Sequence, residues 1–327
     1  MNTNYNPNIK ELGFTYHVGE DFLDVVDGLR AVDEALLFLH LGNGDRIGHG
    51  LVLGVDVEKY YKRRSHYVSL PKQILLDNIV WLYFKGSTCD GFNKITVKLK
   101  SLYEKYYKEI YENDNNQYSN IPTIYDYYQS WLLRGDDPGR YRNTNSPIND
   151  KSYSYWDMYA LNDVEEVKEA RKNKAATTLY HRYHYDGMAY DRGMGSEQIK
   201  LDDDLMLVIS QVQENLLCEI ERRHIAIETN PTSNYRIGDF NRYDEHPILR
   251  FFNYNLNYEN YPSHSITVSI NTDDKGVFST SLEREYSVMS AALEKKSNLA
   301  KGIYPPRAIY DWLDRIRVMG FESRFGQ

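Results

Sequence analysis

Cysteine is nearly absent: the 327 residues hold two, Cys89 and Cys218, far apart and in no C-x-x-C spacing. That argues against a disulfide framework and a cysteine-built zinc site, and it fits a reducing cytoplasm. The H-x-E…P-C-x-x-C signature of cytidine-type zinc deaminases is also missing. No apolar run approaches the ~18 residues of a membrane span. The first ten residues, MNTNYNPNIK, lack the apolar centre of a secretory signal. Positive charge is in deficit, with 39 Lys and Arg against 47 Asp and Glu, a net charge of -8 and a pI near 5.6. A general nucleic-acid-binding surface is therefore not expected, although local fields leave room for small anionic or neutral ligands. Nor does the chain contain an H-x-H triplet anywhere.

What is present is globular in composition, 41% hydrophobic and 26% charged, and long enough for one large domain or two smaller ones. Thirty tyrosines, many between 103 and 190 among Asn and Lys, read as a compositional bias. Residues 12–16 (LGFTY) predict a short strand ending at His17. Phe22, Val25, Val26, Leu29, Val32, Leu36, Leu37 and Leu39 then recur at helical spacing. The turn GNGD (42–45) leads to a strand stub, Arg46-Ile47, and to Gly48-His49-Gly50. This strand–helix–strand unit is the kind that builds a parallel sheet.

From 56 to 222 the pattern is that of a mainly helical insertion, with amphipathic stretches at 71–85, 93–112, 122–134, 163–175 and 202–222. Pro71 and Pro122 stand near helix starts, and a polar loop is expected at 135–151. Strand character returns at 224–228 (HIAIE), followed by a turn-like TNPTSN. A helical stretch opens at His246-Pro247 and runs through Asn255. Residues 264–270 (HSITVSI) alternate and end at Asn271-Thr272-Asp273-Asp274, and helices are predicted near 281–296 and 306–318. The expected organisation is an α/β partial barrel over 1–55 and 223–327, interrupted by the insertion.

Polar clusters thus sit at strand ends, where a (β/α)8 barrel opens its βα loops onto one face. His17, His49 and Asp273 suit zinc, since imidazole nitrogen and carboxylate oxygen are both ligands it takes. Glu20 is placed to carry a proton. The pair HRYH (181–184) has i, i+3 histidines but lacks the glutamate of H-E-x-x-H, and it reads as a solvated face.

HVGED, RIGHG, ETNPTSN and SINTDDKGVFSTSLEREY, in this order over 1–55 and 224–290, resemble the second half of the adenosine deaminase family. Those enzymes are zinc-dependent (β/α)8-barrel amidohydrolases. The resemblance implies strands five to eight of the TIM-type barrel. It implies His17 and Asp273 as zinc ligands, Glu20 as proton shuttle, and His49 as the residue that orients and activates the attacking water. Gly19 and Asp274 would bind the purine, and NPTSN would shape the site. GEDFLDVVDGLRAVDEAL, LPKQILLDNIVWLY and the helical insertion resemble, more narrowly, the deaminase-like subunit of the bacterial RADAR anti-phage system. That would imply a homo-oligomer and an ATPase partner.

The family's first strand supplies two further zinc ligands as H-x-H, which this sequence lacks. The expectation is a C-terminal barrel half acting on a purine nucleoside or nucleotide, with the N-terminal half encoded elsewhere. The competing expectation is a catalytically inactive fragment or assembly subunit whose insertion, with Trp81, Trp131 and Trp156, makes protein contacts.

Overall fold

The computed structural model describes residues 13–112, 121–141, 164–254, 256, 264–299 and 304–325. Leu12, Asn255, Trp156 and the part of the expected loop from 142 to 151 lie outside them. The chain divides into two compact units, one made of 1–60 with 213–327 and the other of 61–212.

The first unit is built on a parallel sheet of β1 (Thr15–Val18), β2 (Arg46–His49), β5 (Ala226–Thr229) and β6 (Val268–Ile270), in that spatial order. Register places Tyr16, Ile47, Ile227 and Val268 in one row and His17, Gly48, Glu228 and Ser269 in the next. Side chains alternate across a strand, so the two rows face opposite ways. The first row is the core side: Ile47, Ile227 and Val268 are fully buried. Helix α1 (Val25–Phe38) buries Val25, Val26, Leu29, Val32 and Leu36, the positions its helical period predicts. Asp24 caps it, accepting a hydrogen bond from the Val26 amide.

The second row is polar. Glu228 accepts from Arg46 Nη1 at 2.6 Å and from Thr15 Oγ1 at 2.9 Å. The last helix, α14 (Pro306–Glu322), ends against this face. A Cβ on Gly320 would lie 3.2 Å from that of Ser269, Arg46 donates to the Ser323 carbonyl, and the Phe325 ring stacks 3.8 Å from the Arg46 guanidinium carbon. β1 has a neighbour on one side only among the described residues, and Phe14 and Tyr16 are exposed.

The second unit is mainly helical: α3 (Lys72–Lys85), α4 (Phe92–Tyr111), α5 (Ile124–Leu132), α6 (Glu165–Lys172), α7 (Lys174–Tyr185), α8 (Gly187–Gly193) and the first half of α9 (Asp203–Arg222). A short α2 (Val57–Arg63) spans the division. The sequence reading put no strand between 55 and 223, and here the structure differs: β3 (Tyr67–Pro71) pairs antiparallel with β4 (Ser196–Lys200). Tyr67-Val68-Ser69-Leu70 does alternate, with Val68 and Leu70 buried, but it abuts a helix and its partner is remote in sequence. Pro71 ends this strand and stands just before α3, whereas Pro122 precedes the Thr123 cap of α5.

Two further readings are corrected. TNPTSN is not a turn: Pro231 occupies the first position of helix α10 (Pro231–Ile237), where its missing N–H has no intrahelical partner to lose. The helical stretch after Pro247 is one turn, α11 (Ile248–Phe251), because Phe252 becomes extended and bridges Ser265.

Candidate functional site

Four strands running in one direction deliver the residues after Val18, His49, Thr229 and Ile270 to one edge of the sheet. His17 and His49 stand there with ring centroids 4.8 Å apart and planes 80° to one another. Gly48 makes this possible. It lies opposite His17 in register, and a Cβ on it would come within 2.2 Å of His17 Cδ2. The His17 ring therefore lies across β2, in space that any side chain at 48 would fill. Gly19 adopts φ +78, and its carbonyl accepts from the Val52 amide at 2.8 Å. The left-handed turn it makes returns the chain so that Glu20 points back at the histidines.

Glu20 Oε2 lies 3.0 Å from His49 Nε2, and its Oε1 lies 3.9 Å from His17 Nδ1. One ligand atom each from His17, Glu20 and His49 fall within 4.8 Å of one another. Asp273 reaches the group through His49, with Oδ2 3.7 Å from Nε2. It does so from a left-handed backbone (φ 57), and its Oδ1 accepts from the Asp274 amide at 2.8 Å. Two imidazoles and two carboxylates are donors of the type zinc takes. Asp274 has a different local task. Its Oδ1 accepts from the Gly276 and Val277 amides and caps helix α12 (Lys275–Phe278).

His49 is almost wholly buried and held from behind by α10. Asn234 Oδ1 is taken by the Asn230 amide at 2.7 Å, so Asn234 turns its Nδ2 toward His49 Nδ1, 3.5 Å away. The Asn230 side-chain amide stands 3.4 Å from Nε2 and 3.5 Å from Nδ1. Amide nitrogens thus stand near both ring nitrogens, while Nε2 also faces the carboxylates of Glu20 and Asp273. α10 is itself pinned by Glu285, a fully buried residue of α13 (Leu282–Leu299). Its Oε2 accepts from the Thr232 amide at 2.7 Å, and its Oε1 accepts from the Thr280 hydroxyl. Sequence reasoning took NPTSN as a shaping loop and assigned no role to Asn230, Asn234 or Glu285. The i, i+4 asparagines behind a helix-starting proline were the available signal.

Burial raises the Glu20 carboxyl above its ordinary value, with Asp21 and Asp273 adding to the effect and His17 opposing it. Burial lowers His49, Asp273 opposes that shift and His17 reinforces it. The two shifts move the carboxyl and the imidazole toward one another. Behind them His246 is buried and neutral, pushed down to about 3 by desolvation, with His49 adding to it.

HRYH lies on α7, where His184 meets the Tyr180 ring at 4.7 Å and His181 meets Tyr185 at 4.9 Å. Among the described residues these two histidines belong to no group of metal-type donors.

The family model described as adenosine deaminase matches residues 167–300, less than half of the chain. The matched stretch contains β5, α10, β6, Asp273 and Asp274. It does not contain His17, Glu20 or His49. No curated protein matches the chain. Over its matched residues the chain is similar to adenosine deaminases, which suggests a deaminase of the amidohydrolase type.

Proposed function

We propose that the chain is the C-terminal barrel half of a zinc-dependent hydrolytic deaminase that converts an adenosine-type purine to its inosine-type product. The observation that carries this reading is the convergence of His17, Glu20, His49 and Asp273 on one sheet edge, in the chain order the family motif requires. His17 and Asp273 would hold the metal, with the remaining donors supplied as H-x-H by a first barrel half docking beside β1, whose Phe14 and Tyr16 are exposed. Bound zinc would act as a Lewis acid that lowers a water's pKa far below its bulk value, to about 7.

The chain's own residues do the rest. His49, kept neutral by burial and fixed by Asn230 and Asn234, orients the attacking water through Nε2. Glu20 carries the proton that reaches the purine ring nitrogen as C6 becomes tetrahedral, and burial raises its carboxyl in the direction that favours holding a proton. Gly19 and Asp274 border the purine. A homo-oligomer with an ATPase partner, in the manner of the RADAR deaminase subunit, is the narrower form of the proposal.

A second reading has its own observation. Residues 320–325 lie against the polar sheet face that a closed barrel turns inward, so a first half must displace or accommodate them. On that reading the chain is a rebuilt, non-catalytic assembly subunit. Adenosine-to-inosine conversion, followed by its absorbance change, separates the two. Turnover is expected when the chain is co-expressed with a first-half segment bearing H-x-H, and Glu20→Gln should abolish it with zinc still bound. A folded, zinc-loaded pair that stays silent would leave the assembly reading.

A further inference from the structure

A second group of metal-type donors sits away from the sheet edge, on the outer face of α9. Glu214, Cys218 and Glu221 follow i, i+4, i+7 spacing and share one face of the helix. Across from them stands His264, buried, four residues before β6 begins. One ligand atom each from Glu214, Cys218 and His264 lie within 4.8 Å of one another. We propose that Glu214, Cys218 and His264 form a zinc site that ties α9 to the segment entering β6.

The hydrogen bonds divide the labour. Glu221 is fully committed: Oε2 faces His264 Nδ1 at 2.9 Å, and Oε1 accepts from the Ser265 amide at 3.0 Å. It therefore stands behind the imidazole, accepting from Nδ1–H, the arrangement that orients a metal-binding histidine and raises its basicity. His264 Nε2 faces Glu214 Oε1 at 2.8 Å. The other oxygen of Glu214 accepts from Arg250 Nη2 at 3.0 Å, and Arg250 Nη1 donates to Gln213 Oε1 at 2.5 Å. Arg250 thus fixes the Glu214 carboxylate and leaves Oε1 toward the histidine.

A neutral imidazole has a single N–H to offer two acceptor-only carboxylates. With Nδ1–H given to Glu221, the 2.8 Å contact between Nε2 and Glu214 Oε1 is the one a cation can enter, in place of a proton held there. A divalent cation placed among Nε2, Oε1 and the Cys218 sulfur satisfies all three. Cys218 is exposed, which leaves a path from solvent and a fourth position for water. Burial and the two glutamates push its thiol up, so metal entry must displace the thiol proton into solvent. Carboxylate and thiolate together then balance the 2+ charge. Nitrogen, sulfur and oxygen in one set favour zinc over the hard cations magnesium and calcium. The site lies on the chain segment that leads through β6 to Asp273, so an ion there would brace one wall of the candidate active site.

Cobalt(II) titration of the full chain tests this, because a cysteine ligand gives an intense thiolate-to-cobalt charge-transfer band that the His17–Glu20–His49 cluster lacks. One equivalent of Co2+ should produce that band with the visible spectrum of a four-coordinate ion, and Zn2+ should remove it. Cys218→Ser and His264→Gln should each lose the band. His17→Gln and Cys89→Ser should keep it, which separates this site from the sheet-edge cluster and from the other thiol. Glu221→Gln should keep the band but weaken affinity about 10–100-fold. No charge-transfer band in the folded wild-type chain, or a band that survives His264→Gln, would overturn the proposal and leave His264 as an ion-paired bridge between two carboxylates.

Discussion

Glu285 offers the clearest test of how the candidate site is held. Its carboxylate is fully buried and joins α13 to α10, and α10 carries the asparagines behind His49. Glu285→Ala leaves two buried groups without their acceptor, the Thr232 amide and the Thr280 hydroxyl. Each orphaned group costs about 1–3 kcal/mol, and the cavity adds to that, so a loss of about 3–5 kcal/mol is expected. Glu285→Gln keeps the shape and one acceptor for the Thr232 amide but sets an NH2 group against the Thr280 oxygen. Because that hydroxyl can rotate and accept, the expected cost is only about 1 kcal/mol. Urea unfolding followed by circular dichroism measures both, with an unchanged slope confirming that the denatured state is unaltered. If the alanine variant loses less than the glutamine variant, the carboxylate does not anchor α10 and the account of how His49 is positioned fails.

Other perturbations probe different parts of the molecule. Gly48→Ala must push the half-exposed His17 ring aside, so stability should change by less than about 1 kcal/mol while deaminase turnover of the reconstituted pair falls about 10²-fold; unchanged turnover would remove His17 from the site. His246 has its pKa lowered from 6.5 to about 3, so the unfolded chain binds the extra proton between those values and stability falls as pH drops through that window. The integrated loss is about 4–5 kcal/mol, and His246→Phe should flatten that part of the stability–pH curve. In the helical unit, Arg134 makes a bidentate pair with Asp77 at 2.6 Å, and Tyr127 and Gln73 also donate to that carboxylate. Asp77→Ala should cost about 3–5 kcal/mol by leaving a buried guanidinium unpaired, whereas Asp77→Leu with Arg134→Met should recover most of it in the same urea assay.

The sequence by itself determined the local periods. Val25, Val26, Leu29, Val32 and Leu36 specify α1 because a 3.6-residue repeat needs no distant partner to be read. The strand–helix–strand order around His17 and His49 implied parallel neighbours, since a helical crossover returns a strand in the same direction. Polar residues after those strands were therefore legible as one edge, and the structure brings His17, Glu20, His49 and Asp273 to it. Tertiary structure decided what depends on contacts remote along the chain. β3 and β4 lie more than 120 residues apart, and no local pattern announces their register. The ring of His17 needs the empty volume at Gly48, the ring of His49 is backed by Asn230 and Asn234, and α10 is held by Glu285. The same holds for the face of α9 that meets His264, where an ordinary amphipathic helix acquires a donor set only once the segment before β6 is laid across it. Periodicity states which residues face inward; it carries no information on which inward faces meet, because that is fixed by burial and hydrogen-bond satisfaction over the whole chain.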